Sequence, residues 1–295
     1  MSKITDSFVI YKGILYIWYP QNHIHRVRIM LSTTVFAPRD TRLYPPSGMF
    51  SAEHFVALFV TLILVVTGLH LCRNVNEKQL KRITKIVALT VTVLEGIKIA
   101  YNLFYGYTWL DAWVPLAFCS LFIYASWLAG FGKGFLERLG KAFLVSGCPT
   151  AGLLFLIFPT TSLQMHPIYH YLCIYSMLFH GAMVWLGLLY LLRADKLPKL
   201  KTFVHYAIFF AFFATLALIL NGIEGCNMMF LREPFNIPIK FIDQIHDASQ
   251  LLYTVLISAA YLACYLPSLG AYKLISHARI KANEKGVIQN ELQLL

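Results

Sequence analysis

Long apolar runs alternate with short polar links along most of this chain. Seven runs, at about 52–72, 83–105, 112–130, 140–158, 168–192, 202–221 and 247–267, each approach the roughly 20 residues that a helix needs to cross a bilayer. The links between them fall at Arg73 to Arg82, Tyr105 to Asp111, Gly130 to Lys141, Pro159 to Pro167, Arg193 to Lys201 and Asn221 to His246. The pattern predicts an all-α, polytopic transmembrane helix bundle of about seven spans over residues 50–270. Residues 271–295 read as a basic cytoplasmic tail, and residues 1–49 as an interfacial, strand-like or poorly ordered lead-in. Within that lead-in Phe8 to Tyr19 is aromatic and β-branched, but it is short and is interrupted by Lys12 and Gly13. Pro45–Pro46–Ser47–Gly48 then breaks the chain before the first span, and no internal repeat is evident.

Composition sharpens this to an integral membrane protein. The chain is 58% hydrophobic and 13% charged, against about half and a quarter in soluble domains. A net charge of +11 would suggest nucleic acid in a soluble protein, but here the cations sort by loop. The first link holds Arg73, Lys78, Lys81 and Arg82, the third Lys133, Arg138 and Lys141, and the fifth Arg193, Lys196, Lys199 and Lys201. The tail adds Lys273, Arg279, Lys281 and Lys285, whereas the second and fourth links have no Lys or Arg and the sixth only Arg232 and Lys240. The positive-inside rule then puts the C-terminus in the cytoplasm and the N-terminus outside. Lys3, Lys12, Arg26, Arg28, Arg39 and Arg42 oppose that orientation, and the consistent later loops outweigh them. The expected location is the cell membrane, the expected partners are membrane lipids, and no nucleic acid is expected. No cleavable signal peptide is expected, because the first long apolar run begins near residue 51. The six cysteines, at 72, 119, 148, 173, 226 and 264, form no CxxC pair, so zinc-ribbon and thioredoxin motifs are missing.

Ionisable groups inside spans are expensive and default to functional candidates. Glu95 and Lys98 lie three apart on the second run and share a helix face, with Asn102 one turn beyond. They form an intramembrane ion pair on either a structural or a functional reading. Cys119 sits in the apolar stretch from Trp113 to Trp127, expected as one lipid-embedded helix with Pro115 near its start. Free cysteine usually packs as a small hydrophobe; the sharper reading makes Cys119 a nucleophile on an intramembrane cavity. His180 falls near the midplane of the fifth run, while His54, Asn221 and His246 mark outer ends. Placed by orientation, these groups gather between the midplane and the outer face, which predicts a polar cavity opening outward. His166 and His170 have the four-residue spacing of zinc ligands on a helix, but Pro167 and the lack of an intervening Glu argue against a metal. No metal or cofactor is expected.

Four motifs in order resemble the YwaF family of bacterial integral membrane proteins. They are Phe50–Ser51–Ala52–Glu53–His54; Val114–Pro115–Leu116–Ala117–Phe118–Cys119; Phe179–His180–Gly181; and Asn227–Met228–Met229–Phe230–Leu231 with Pro234 beyond. Ala117 and Met228 stand where that family often has a polar residue and a tyrosine. The chain is more distantly similar to the eukaryotic transmembrane protein 164 family, which is associated with lysophospholipid acyl transfer through a Cys and a His. Those resemblances imply Cys119 as nucleophile and His180 as its histidine. His54, Glu95, Lys98, Asn102, Asn221, Asn227 and His246 are then expected to orient or bind the substrate, a lysophospholipid or an acyl-donor lipid.

The expected function is thus a lipid acyltransferase or acyl hydrolase, with a small-molecule transporter using Glu95 and Lys98, or a non-catalytic membrane protein, as alternatives. The enzyme reading expects the Cys119 sulfur and the His180 imidazole on one cavity, within about 6 Å, close enough for a bridging water. Glu95 or Asn102 would orient the imidazole.

Overall fold

A computed structural model describes residues 9–11, 14–16, 35–38, 44–193, 200–234 and 240–277. Most of the lead-in and of the basic tail therefore lies outside the described residues. A short antiparallel ribbon, β1 (Val9–Tyr11) and β2 (Ile14–Tyr16), pairs Val9 with Tyr16. The rest is helical: α1 (Ala52–Leu71), α2 (Glu77–Phe104), α3 (Leu110–Trp113), α4 (Leu121–Phe131), α5 (Gly134–Ile157), α6 (Tyr171–Arg193), α7 (Leu200–Glu224), a 3-10 turn at Met228–Phe230, α8 (Lys240–Ala248) and α9 (Gln250–Ala263). Beyond a turn at Cys264 the helix of α9 resumes and runs to His277.

Local chemistry sets the ends. Ser51 caps α1 by accepting the His54 N–H at 3.1 Å. Asn76 and Gln79 form a reciprocal capping box at α2, with bonds of 2.8 and 2.9 Å. Gly106, at φ +76°, takes the left-handed conformation that lets the chain leave α2.

Five helical runs are long and apolar enough to cross a membrane: α1, α5, α6, α7 and Gln250–His277. The protein is a multi-pass membrane protein. The expected run 83–105 falls on α2, a 28-residue helix whose first turns carry Glu77, Lys78, Lys81, Arg82 and Lys85. The expected helix over 112–130 is corrected, because the backbone is non-helical from Val114 to Ser120. Pro115 is the cause: its ring excludes the preceding residue from helical dihedrals, and Val114 adopts φ −84°, ψ 116°. Helix α3 ends there, and α4 starts afresh at Leu121.

Helices α5 and α6 are the central pair; α4 and α7 pack on α5, and α1 packs on α6. Helix α1 exposes most of its apolar side chains, including Phe55, Phe59, Leu64 and Leu71, as expected of a lipid-facing surface. Lipid supplies no hydrophobic drive for helices to associate, so close contact depends on small residues. A methyl group on Gly152 would lie 2.9 Å from the His180 carbonyl, and one on Gly181 would lie 2.6 Å from Thr61. Gly187 likewise makes room for the Pro149 ring of α5, 2.7 Å from where its own methyl would be. At one end Glu137 of α5 binds Lys81 of α2 and Lys141, both at 2.9 Å.

These contacts predict unequal costs for adding one methyl. At Gly140 it would meet the Ala125 carbonyl at 2.5 Å and the Ala129 nitrogen at 2.6 Å, both backbone. Gly140→Ala should destabilise the folded protein by about 1–3 kcal/mol, the usual cost of overpacking. Gly96, with nothing within 4 Å, should tolerate alanine or gain helix stability from it. Thermal unfolding in detergent micelles checks the pair.

Candidate functional site

Cys119 lies in the turn that precedes α4, and its carbonyl accepts the Phe122 N–H at 3.0 Å. The neighbouring Phe118 is buried and stacks on Tyr261 with ring centres 4.2 Å apart. Cys119 itself is half-buried. It packs against the main buried cluster, which includes Cys148, Tyr175 and Cys264. Phe118 also meets Phe143 of α5 and Phe210 of α7, so the segment that carries the thiol packs against α5, α7 and α9.

His180 is buried in α6 with its ring flat on Phe155, 3.5 Å between centres. Its Nδ1 is 2.7 Å from the Ser176 carbonyl. A carbonyl only accepts, so Nδ1 carries the proton and neutral His180 presents a bare lone pair on Nε2. That Nε2 is buried and has no hydrogen-bond partner among the described residues. No hydrogen bond therefore joins it to Cys119. The two elements do meet one turn away, where Phe122 contacts Phe179 edge-to-face at 5.4 Å.

Glu95 and Lys98 form the expected ion pair, with the ammonium 2.5 Å from Oε1. The other carboxylate oxygen of Glu95 accepts from the buried Tyr175 hydroxyl. Tyr175 stacks on Tyr171, whose hydroxyl donates to the Leu94 carbonyl at 2.7 Å. These contacts join α2 and α6. Neither Tyr171 nor Tyr175 was singled out from sequence. Their spacing with Phe179 puts all three on one helix face, a pattern that usually marks core.

The remaining expected residues hold backbone. Both ring nitrogens of His54 are used: Nδ1 accepts the Phe50 N–H at 3.0 Å, and Nε2 donates to the Leu156 carbonyl at 2.9 Å. Asn102 donates to the Ala112 carbonyl, tying α2 to α3, and its buried Oδ1 has no hydrogen bond among the described residues. Asn221 accepts from the Met228 N–H at 2.7 Å and donates to the Met228 carbonyl at 3.1 Å. Asn227 closes its own loop through the Arg232 and Glu233 amides, each at 3.1 Å. His246 of α8 lies 3.5 Å from Asp247 and packs edge-on against Tyr253. Two open pockets, of about 550 and 630 Å³, flank the turn at Glu224–Gly225. Asn221 and Arg232 line the first, Trp109, Trp113 and Cys226 the second, and Cys119 and His180 line neither.

The sequence profile of the TMEM164 family matches residues 49–266, from just before α1 to just beyond Cys264. The chain belongs to the TMEM164 family. All four motifs fall inside the matched segment, and the more distant of the two resemblances is the one the match carries. No curated protein and no solved structure matches this TMEM164 family member.

The ion pair makes a measurable prediction. Lys98→Met leaves a buried carboxylate without its cation and should cost about 3–5 kcal/mol, as breaking other buried pairs does. Glu95→Gln should be milder, because Tyr175 keeps an oxygen to donate to. The double variant should recover at least half of the Lys98→Met loss. Unfolding temperatures of the four proteins give the coupling.

Proposed function

We propose that this protein transfers fatty acyl chains between membrane lipids, as an acyltransferase or acyl hydrolase in which Cys119 is the nucleophile and His180 the base. The observation that carries this reading is the bare, buried Nε2 of His180. Its tautomer is held by the Ser176 carbonyl, and its position is held by Phe155. A buried acceptor without a partner costs about 1–3 kcal/mol, a cost that a proton-accepting role explains.

The break at Cys119 supports the same reading. Non-helical backbone at membrane depth is tolerated where it is buried in protein or lines a cavity. The segment around Cys119 meets that condition, since Leu116 and Phe118 are buried. In the proposed reaction the Cys119 proton passes to His180 Nε2 and the sulfur attacks the ester carbonyl of a donor lipid. A C–S bond forms, the C–O bond breaks, and the proton returns to the departing lysolipid oxygen. A lysophospholipid hydroxyl, or water, then gives its proton to His180 and attacks the thioester, and the thiol is regenerated. The working state has to bring Nε2 to the sulfur directly or through one water. Glu95 and Lys98, already closed by Tyr175, hold α2 against α6 beside that path.

The proposed topology has seven crossings. Helix α2 is about 42 Å long at 1.5 Å per residue, enough for a sixth. Helices α3 and α4 with the break between them make a seventh, discontinuous one. The N-terminus is then outside and the C-terminus cytoplasmic.

Two experiments test these statements. Cys119→Ser and His180→Ala should each abolish transfer of a labelled acyl chain to a lysophospholipid, with membrane expression unchanged, and the label should appear on wild-type Cys119 but not on Cys148 or Cys173. Retained transfer in either variant removes the pair from the reaction. For topology, cysteines introduced at exposed Thr161 and Lys78 should gain label from opposite sides, position 161 in intact cells and position 78 after permeabilisation. The reverse pattern inverts the orientation.

A further inference from the structure

Residues ahead of the family-matched segment enter the bundle. The Ala37 carbonyl accepts from the Tyr101 hydroxyl at 2.7 Å and from His170 Nε2 at 3.0 Å, and the Phe36 carbonyl accepts from the Tyr105 hydroxyl at 2.6 Å. Ala37 is fully buried. The Phe36 ring stacks on Tyr171 with centres 5.0 Å apart. His170 is held for this task, since its Nδ1 accepts the Leu172 N–H at 3.1 Å and so leaves the proton on Nε2. The nearby Ser47–Gly48 backbone is pinned separately, to His166 and Leu163.

Two features distinguish this contact from ordinary packing. Two consecutive carbonyls are held by three side-chain donors, from the C-terminal end of α2 and the residue before α6. In addition, Phe36 tops a continuous column. Phe36 stacks on Tyr171, Tyr171 on Tyr175, and Tyr175 meets Phe179 at 5.4 Å. Phe122, three residues beyond Cys119, meets the column at Phe179, and His180 adjoins its lower end there.

We propose that Phe36–Ala37 is a built-in plug, seated by Tyr101, Tyr105, His170 and Tyr171, that closes the route along this column to Cys119 and must leave its seat for a lipid to enter. What enters rests on the acyl-transfer reading, whereas the plug itself concerns access alone.

The test reads access without turnover. The full chain is placed in phosphatidylcholine nanodiscs and treated with N-ethylmaleimide, and alkylation of each cysteine is followed by peptide mass spectrometry. Phe36→Ala should speed alkylation of Cys119 at least fivefold, with the fully buried Cys148 unchanged. Tyr105→Phe removes one donor at nearly constant volume. It should act in the same direction by a smaller factor, and it decides the matter if Phe36→Ala does not fold. An unchanged or slower Cys119 rate overturns the plug, and so does equal acceleration of Cys119 and Cys148, which marks a loosened bundle. If Cys119 opens in the variants while neither wild type nor variant transfers acyl chains, the plug stands and the acyl-transfer reading falls.

Discussion

Pro115 forces the helix to stop inside an apolar stretch, and much of the surrounding architecture serves to bury that stop. A break exposes backbone groups that lipid cannot satisfy, so protein must cover it. Phe118 anchors the covering: it lies on Tyr261 of α9 and within 5.5 Å of Phe143 on α5. The 3-10 turn after α7 closes over the same region, with Met228, Met229 and Leu231 in the same buried cluster as Phe118.

That turn is itself strained. Met229 and Phe230 adopt φ of +57° and +51°, which side chains with a Cβ rarely do. The strain is held by directed hydrogen bonds. Tyr261 donates to the Met229 carbonyl at 2.8 Å, Tyr253 to that of Phe230 at 2.6 Å and Thr254 to that of Leu231 at 2.7 Å. Asn221 grips both backbone groups of Met228. The motif Asn227–Leu231 thus works as a clasp between α7 and α9. Its asparagines act on backbone, and what they orient is the turn itself.

The same contrast separates what could be read in the sequence from what could not. The helices were legible because apolar runs and cationic links repeat, and Glu95 with Lys98 was legible because three residues on a helix bring two side chains to one face. The break was not read, although its signal was present. Trp113 to Trp127 is mostly apolar, and on pattern alone Pro115 reads as the first-turn proline of a helix starting nearby. Only the backward restriction on Val114 turns it into a terminator. His54, Asn102 and Asn221 were legible as polar groups between the midplane and the outer face, and Asn227 through the family motif, but a sequence does not reveal that the partner is a distant carbonyl such as that of Leu156. The seat for Phe36–Ala37 was invisible for the same reason: its tyrosines and histidine look like interfacial residues until a peptide carbonyl stands between them.

Two ionisable groups near the middle of the bundle have opposite standing, and the difference bears on mechanism. Glu95 is closed: Lys98 neutralises one oxygen and Tyr175 occupies the other. A translocation path needs a carboxylate that exchanges partners, and releasing this one would strand a charge in a site that is 4% exposed. His180 is open. One nitrogen is committed to Ser176, and the other is buried with no hydrogen-bond partner among the described residues. An ion pair closed on itself acts as a strut, whereas a free lone pair is what a proton acceptor needs. Among the described residues Asn102 Oδ1, three serine hydroxyls and the Trp185 indole are also without hydrogen bonds, and of these groups only the imidazole nitrogen is a base; the proposed proton acceptor is therefore His180 and not the charges that first draw the eye.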